Sequence, residues 1–240
     1  MHDSRAAPRL LAVAHGTASP DGLATTAGLV DAVRAARPDV PVALCFLDVA
    51  SPRLPDVLAR DVSPTVVVPV LLSTGFHVQN DIPAAVAGRP DTVVARHLGP
   101  HPLLVDALVD RLPAGPAAAT VLVGAGSTRD GARAELDATA ALLGERLGVP
   151  VDVLTMADDL RDELRRRPTP VRVATYLLAQ GRFTETLQAA CADVPGATVP
   201  TVPTVPAAPI GVHPALVELV WTRYDEAVSR GPLDSPGTAR

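Results

Sequence analysis

Imidazoles carry the first hint of chemistry in this chain. His15 ends the aliphatic run Leu10–Ala14 and is followed by Gly16 and Thr17, while His77 follows the run Thr65–Leu71 by way of Ser73-Thr74-Gly75-Phe76. Asp48 and His97 also stand just past aliphatic runs. An imidazole in such a place can shuttle protons near neutral pH, ligate a metal or accept a phosphoryl group, or serve only as a polar turn residue. Some of these are disfavoured at once. Phosphoryl transfer through a His-Gly pair would want an arginine directly before the histidine, and Ala14 stands there. Gly16 and Gly22 leave backbone amides open to an anion before a helix, yet the turn lacks both the dinucleotide fingerprint and the lysine of a phosphate loop. Cys45 and Cys191 fit neither a zinc-site spacing nor a disulfide framework and read as small buried apolar residues.

These residues need a scaffold that brings strand ends together. Aliphatic runs at Arg9–Ala14, Pro41–Leu47, Thr65–Leu71 and Asp91–Ala95 predict strands that are apolar on both faces, as in a covered parallel sheet. Helical spacing lies between them, in Leu23, Ala27, Val30 and Val33 and again in Leu104, Leu108 and Leu112. The second half repeats the alternation, with strands expected at Thr120–Gly124, Val151–Thr155, Val171–Tyr176 and Ala197–Pro200, and a frayed tail at Gly231–Arg240.

The halves also align directly. Leu11–Thr17 matches Val121–Ser127, Leu71–His77 matches Leu177–Phe183, and Gly99–Pro102 matches Gly211–Pro214, in order and at nearly constant separation. This reads as an internal duplication with its boundary between Pro113 and Ala119, dividing the chain into units at 1–115 and 116–240. The expected fold is α/β, two duplicated domains each built on a parallel sheet. Ligands of such sheets collect beyond the carboxyl ends of the strands, where His15, Asp48, His77 and His97 all fall. The duplication is uneven at that place. Ala125 and Phe183 stand opposite His15 and His77, so only the first half carries the two imidazoles, whereas His101 and His213 recur before prolines as a shared capping or cleft-lining element.

Composition narrows the partners. The chain has 21 basic and 26 acidic residues, a net charge of −5, and all its basic residues are arginines; this argues against a general polyanion binder. Aromatic residues make up 2%, too few rings for a base-stacking surface, so no nucleic-acid partner is expected. The uncharged stretches Val62–Phe76 and Val194–Val212 are interrupted by prolines, and the first is too short to span a bilayer. A soluble cytoplasmic protein, monomeric or homodimeric, is the expectation.

Four segments in order make the reading specific. Val13-Ala14-His15-Gly16-Thr17, Phe46-Leu47-Asp48-Val49-Ala50-Ser51-Pro52, Pro69–Pro83 and Leu98-Gly99-Pro100-His101-Pro102 resemble the successive signatures of the sirohydrochlorin and cobalt class II chelatase family. The third is the most distinctive, with Gly75-Phe76-His77-Val78 followed by Asp81-Ile82-Pro83. The resemblance implies flavodoxin-like halves around a cleft, a final helix that crosses back onto the first domain, and a catalytic first half with a degenerate second. It also implies insertion of Fe2+ or Co2+ into sirohydrochlorin without nucleotide hydrolysis. His15 and His77 would then handle the metal, and Asp48 would occupy the family's acidic position, where a longer Glu is common. The metal is a substrate on this reading and no permanent cofactor is expected.

The residue types suit that task. Insertion displaces two pyrrole N–H protons, and two imidazoles can take up protons while holding a metal with open coordination positions. A closed set of thiolates would retain it. The carboxylates of the tetrapyrrole need donors, for which Arg53, Arg96, Arg129 and Arg182 are candidates, with Gly16, Thr17, Ser73, Thr74 and Gly75 supplying backbone and hydroxyl groups. The rival reading is a carrier that shelters a tetrapyrrole or a metal without catalysing insertion.

Overall fold

Along the first strand, Leu10 and Ala12 turn to one side and Leu11 and Val13 to the other, yet all four are almost completely shielded from water. A strand apolar on both faces needs cover on both, which is the condition of a parallel sheet between helices. The computed structural model, which describes residues 7–129, 131–192, 194 and 206–230, meets that condition twice. The expected strand at Ala197–Pro200 and the tail at Gly231–Arg240 lie outside the described residues.

In the first half the elements run β1 (Arg9–Ala14), α1 (Pro20–Ala36), β2 (Val42–Phe46), α2 (Leu54–Arg60), β3 (Thr65–Pro69), a π-helical turn (His77–Asp81), α3 (Ile82–Val86), β4 (Thr92–Val94) and α4 (Pro102–Arg111). The second half gives β5 (Ala119–Gly124), α5 (Ala132–Leu147), β6 (Asp152–Thr155), α6 (Leu160–Arg165), β7 (Val171–Tyr176), α7 (Arg182–Ala192) and α8 (Pro214–Arg230). Two separate sheets form, ordered β2-β1-β3-β4 and β6-β5-β7, with every pairing parallel. This is the flavodoxin-like order, with the first strand of each half at the centre. Among the described residues no helix is long and apolar enough to cross a membrane.

Side-chain alternation sorts the cores. Leu10, Val66 and Val68 join Leu122, Leu136 and Leu143 of the second half in one cluster that runs through both halves. Leu11, Val13, Val67 and Ile82 form a separate cluster on the far face of the first sheet, and Val121, Val123, Val173 and Leu187 do the same for the second.

The closing helices are exchanged. The helix α8 leaves the second half to pack on α1, β3 and α4, while α4 of the first half packs on α5 and β7. Polar contacts secure the crossing: Trp221 Nε1 donates to the Val33 carbonyl at 3.1 Å, and Arg37 grips Asp225 through two bonds of 2.6 and 2.7 Å. Tyr176 of β7 reaches the other way and donates its hydroxyl to the Leu72 carbonyl at 2.7 Å. Its burial pushes that hydroxyl's pKa up, so it stays a donor. Only glycine fits at position 99 beside it, because a Cβ there would stand 2.1 Å from the Tyr176 oxygen.

Candidate active site

The turn after β1 sets the position of His15. Gly16 takes φ of 97°, and a Cβ there would fall 1.9 Å from the Asp48 carbonyl, so the turn after β1 packs directly on the turn after β2. The Asp48 N–H closes the contact by donating to the His15 carbonyl at 2.8 Å. Thr17 and Ser19 then start α1: Thr17 Oγ1 accepts the Ser19 N–H at 3.1 Å, and Ser19 Oγ caps the helix through the Gly22 N–H at 3.3 Å. His15 itself stays exposed at the strand ends.

His77 arrives from the end of β3 as the first residue of the π-helical turn, and its Nε2 lies 3.1 Å from Nε2 of His15. The two rings meet edge to face, 4.6 Å between centroids and 84° between planes. The remaining ring nitrogens are engaged. His77 Nδ1 is 2.5 Å from the Asp81 carboxylate, which can only accept, and His15 Nδ1 is 3.1 Å from the Gly16 carbonyl. Assigned from these partners, both Nδ1 atoms carry the proton and both Nε2 lone pairs turn toward one another. Two lone pairs at that distance repel unless a proton or a cation lies between them. Among the described residues no three His, Cys, Asp or Glu side chains are grouped to hold a metal.

Asp48 lies within electrostatic reach of the pair, with one carboxylate oxygen tied to its own loop. Its carboxylate accepts the Val49 N–H at 2.8 Å and lies 3.3 Å from Arg53, whose other nitrogen donates to the Leu47 carbonyl at 2.7 Å. The Val49 N–H above all, then Arg53 and the two imidazoles, hold the Asp48 carboxyl below the usual carboxylate range.

The rim draws on both halves. Arg129 lies over the half-exposed ring of Phe76, 4.6 Å from its centroid, next to His77. Gly75 faces Ser127, and Thr17 faces Gly181, so the loop after β3 abuts the loop after β5 and the loop after β1 abuts the loop after β7. Arg182 is exposed at the start of α7, and the exposed Arg96 lies on the α4 side, where its charge bears on His101. The other histidines among the described residues take different work. Nδ1 of His101 and Nδ1 of His213 each accept a backbone N–H at 3.2 Å, from Leu103 and Ala215, at the start of α4 and α8. His97 is buried against Glu135 of α5.

Two residues of this arrangement escaped the sequence reading. Asp81 had a usable signal, standing four residues from His77 within the most distinctive motif, the spacing of neighbours on a helix face. Glu135 had none, because it belongs to the opposite half.

Paired parallel α/β units with an imidazole pair at the strand ends of one of them define a two-part protein whose candidate site lies at the meeting of its loops. The CbiX family model matches the chain over residues 9–114 and again over 119–227. The chain belongs to the CbiX family. Solved structures agree in fold: the sirohydrochlorin chelatase SirB of Bacillus subtilis subspecies spizizenii in complex with cobalt superposes with a TM-score of 0.77 at 20% identity, covering 94% of this chain and 97% of that one. CbiX, described as the terminal enzyme for biosynthesis of siroheme in denitrifying bacteria, gives 0.64 at 21% identity, with 91% and 99% covered. DR2241 of Deinococcus radiodurans, a multi-domain protein with structural similarity to chelatases, gives 0.71 at 25% identity over 92% of this chain and 55% of its own. No curated protein matches the sequence significantly.

Proposed function

We propose that this protein inserts a divalent first-row metal, Fe2+ or Co2+, into sirohydrochlorin, releasing two protons and using no nucleotide. The observation that carries the reading is the pair of Nε2 atoms 3.1 Å apart, each on a ring whose other nitrogen is already occupied. An ion bonded to both at about 2.1 Å would subtend an angle of about 95° between them, close to two neighbouring positions of an octahedron. Its other positions stay free for water and then for the macrocycle. Two neutral ligands bind a first-row ion weakly enough to give it up.

As the metal passes to the pyrrole nitrogens, the two displaced N–H protons need acceptors. The Nε2 lone pairs become available as the metal departs, and Asp48, held ionised beside them, favours the positive charge that results. The first half, 1–115, does this chemistry. The second, 116–240, walls the cleft, with Arg129 and Arg182 joining Arg53 and Arg96 as candidate partners for the substrate's carboxylates. Gly16, Thr17 and the Ser73-Thr74-Gly75 loop line the same edge. Likeness of fold to SirB, solved with cobalt and with Fe3+, supports the choice of metals.

The test is spectral conversion of sirohydrochlorin under anaerobic conditions with Fe2+ and Co2+ compared, the uncatalysed rate being subtracted. Turnover beyond one equivalent supports insertion; binding that stops at one equivalent marks a carrier. His77→Ala and His15→Ala are expected to slow single-turnover insertion about 10²- to 10⁴-fold while sirohydrochlorin affinity holds. Near-normal insertion by the folded double variant would refute the assignment and turn attention to Asp48, His97 and His101.

A further inference from the structure

Glu135 stands in the first turn of α5, in the half that lacks the imidazole pair, with its side chain only 20% exposed. Its carboxylate reaches into the other half. One oxygen accepts the Thr74 N–H at 2.6 Å, and both lie 3.0 Å from Nε2 of His97. Thr74 belongs to the loop that leads from β3 to His77, and two more bonds continue from that loop into the turn bearing the imidazole. Gln79 donates its N–H to the Gly75 carbonyl at 3.0 Å and its side-chain amide to Thr74 Oγ1 at 3.3 Å.

The far end of this bridge is equally fixed. The His97 carbonyl accepts from Arg223 Nε at 3.0 Å and the Leu98 carbonyl from Arg223 Nη2 at 2.9 Å, with Arg223 itself buried and paired with Glu226. Neighbours on α5 behave otherwise: Arg133 and Asp137 pair with each other on the solvent side at 2.8 Å. A carboxylate bonded to a backbone N–H across a partly buried boundary makes a strong, directional, charge-assisted hydrogen bond. The loop has no regular structure between Pro69 and His77; its first part is tied by the Val70 N–H on the Val13 carbonyl, the Leu98 N–H on the Leu71 carbonyl and the Tyr176 hydroxyl on the Leu72 carbonyl, and Glu135 holds the next part at Thr74.

We propose that Glu135 is a positioning residue for His77, acting from the second half: by holding the Thr74 N–H it sets where His77 Nε2 stands relative to His15 Nε2. The consequence for insertion rests on the chelatase reading; the consequence for metal binding does not.

The experiment uses the full chain carrying Glu135→Ala, Glu135→Gln or Glu135→Asp, with Asp137→Ala as a control on the same helix. Co2+ binding is followed by visible absorption without tetrapyrrole, and insertion is followed as kcat and KM for sirohydrochlorin. Glu135→Ala is expected to weaken Co2+ binding and lower kcat, each about tenfold or more, with KM within about twofold of wild type. Glu135→Gln keeps an oxygen for the Thr74 N–H and should recover most of the loss, and Asp137→Ala should match wild type. If Glu135→Ala does not fold, Glu135→Asp decides, since it keeps the charge but withdraws the carboxylate by one methylene. Unchanged Co2+ binding and kcat, or a loss confined to KM or to melting temperature, would overturn the proposal. Weakened Co2+ binding in variants of a wild type that inserts no metal would uphold the positioning role and refute the chelatase reading.

Discussion

Replacing Asp81 by Asn removes a charge and leaves the shape of the side chain. In the protein its carboxylate holds His77 Nδ1 at 2.5 Å, so that the ring presents Nε2 as a lone pair. Through the ring and a metal–nitrogen bond of about 2.1 Å, the carboxylate stands roughly 6.5 Å from an ion bound at Nε2. A divalent cation and a single negative charge at that distance attract by about 1.3 kcal/mol in water and by several times more in a drier site. The side chains of His77 and Asp81 are 25% and 42% exposed, which puts the pair near the aqueous limit. That floor is about tenfold in affinity. Loss of ring orientation adds to it, giving an expected 10- to 100-fold weaker binding of Co2+ and a similar slowing of insertion. Co2+ titration by visible absorption and single-turnover insertion at saturating sirohydrochlorin read the two effects separately. Co2+ affinity within about twofold of wild type in Asp81→Asn would refute the argument, because the carboxylate would then have no hold on Nε2.

Two further outcomes follow from the scaffold. Gly16→Ala pairs a left-handed backbone, worth about 1–2 kcal/mol against alanine, with a Cβ 1.9 Å from the Asp48 carbonyl; a fall in melting temperature of at least about 4 °C is expected together with loss of insertion, and a thermally neutral variant would count against this geometry. His101 caps α4 through an unprotonated Nδ1, and burial, followed by the charge of Arg223, lowers its pKa below the ordinary value of about 6.5. Stability from this cap is therefore complete above the unfolded-state pKa and lost as pH falls through the lower folded value. Thermal melts between about pH 7.5 and 5 should show wild type losing ground to His101→Asn, a cap that does not titrate; parallel curves would refute the link.

Much of the fold is legible without coordinates because its determinants are local. A strand buried on both faces must be apolar at consecutive positions, so β1, β3, β5 and β7 stand out as aliphatic runs, and their ends lie within two residues of the expected ones. Punctuation by Pro102 at the start of α4 is equally local. Strand ends in a parallel sheet gather on one side, which is why His15, Asp48 and His77 could be assigned to a common edge before any distance was known.

Contacts that depend on how the two halves meet left no such trace. Glu135 looks like any acidic residue in the first turn of a helix, and its bonds to Thr74 and His97 arise only when α5 lies against the first half. His101 and His213 share a His-Pro pattern open to more than one reading, which backbone geometry resolves into two helix caps. Asp48 follows the expected strand, but the rotamer that turns its carboxylate to Val49 and Arg53 depends on the local turn and not on residue type. Residue order by itself determines periodicity, and hence strands, helices and the sheet edge that bears the imidazoles. The 3.1 Å approach of two nitrogens 62 positions apart, and the carboxylate that braces one of them from the other half, require the packed chain, since hydrogen bonds and ion contacts act over a few ångströms and carry no signature along the sequence.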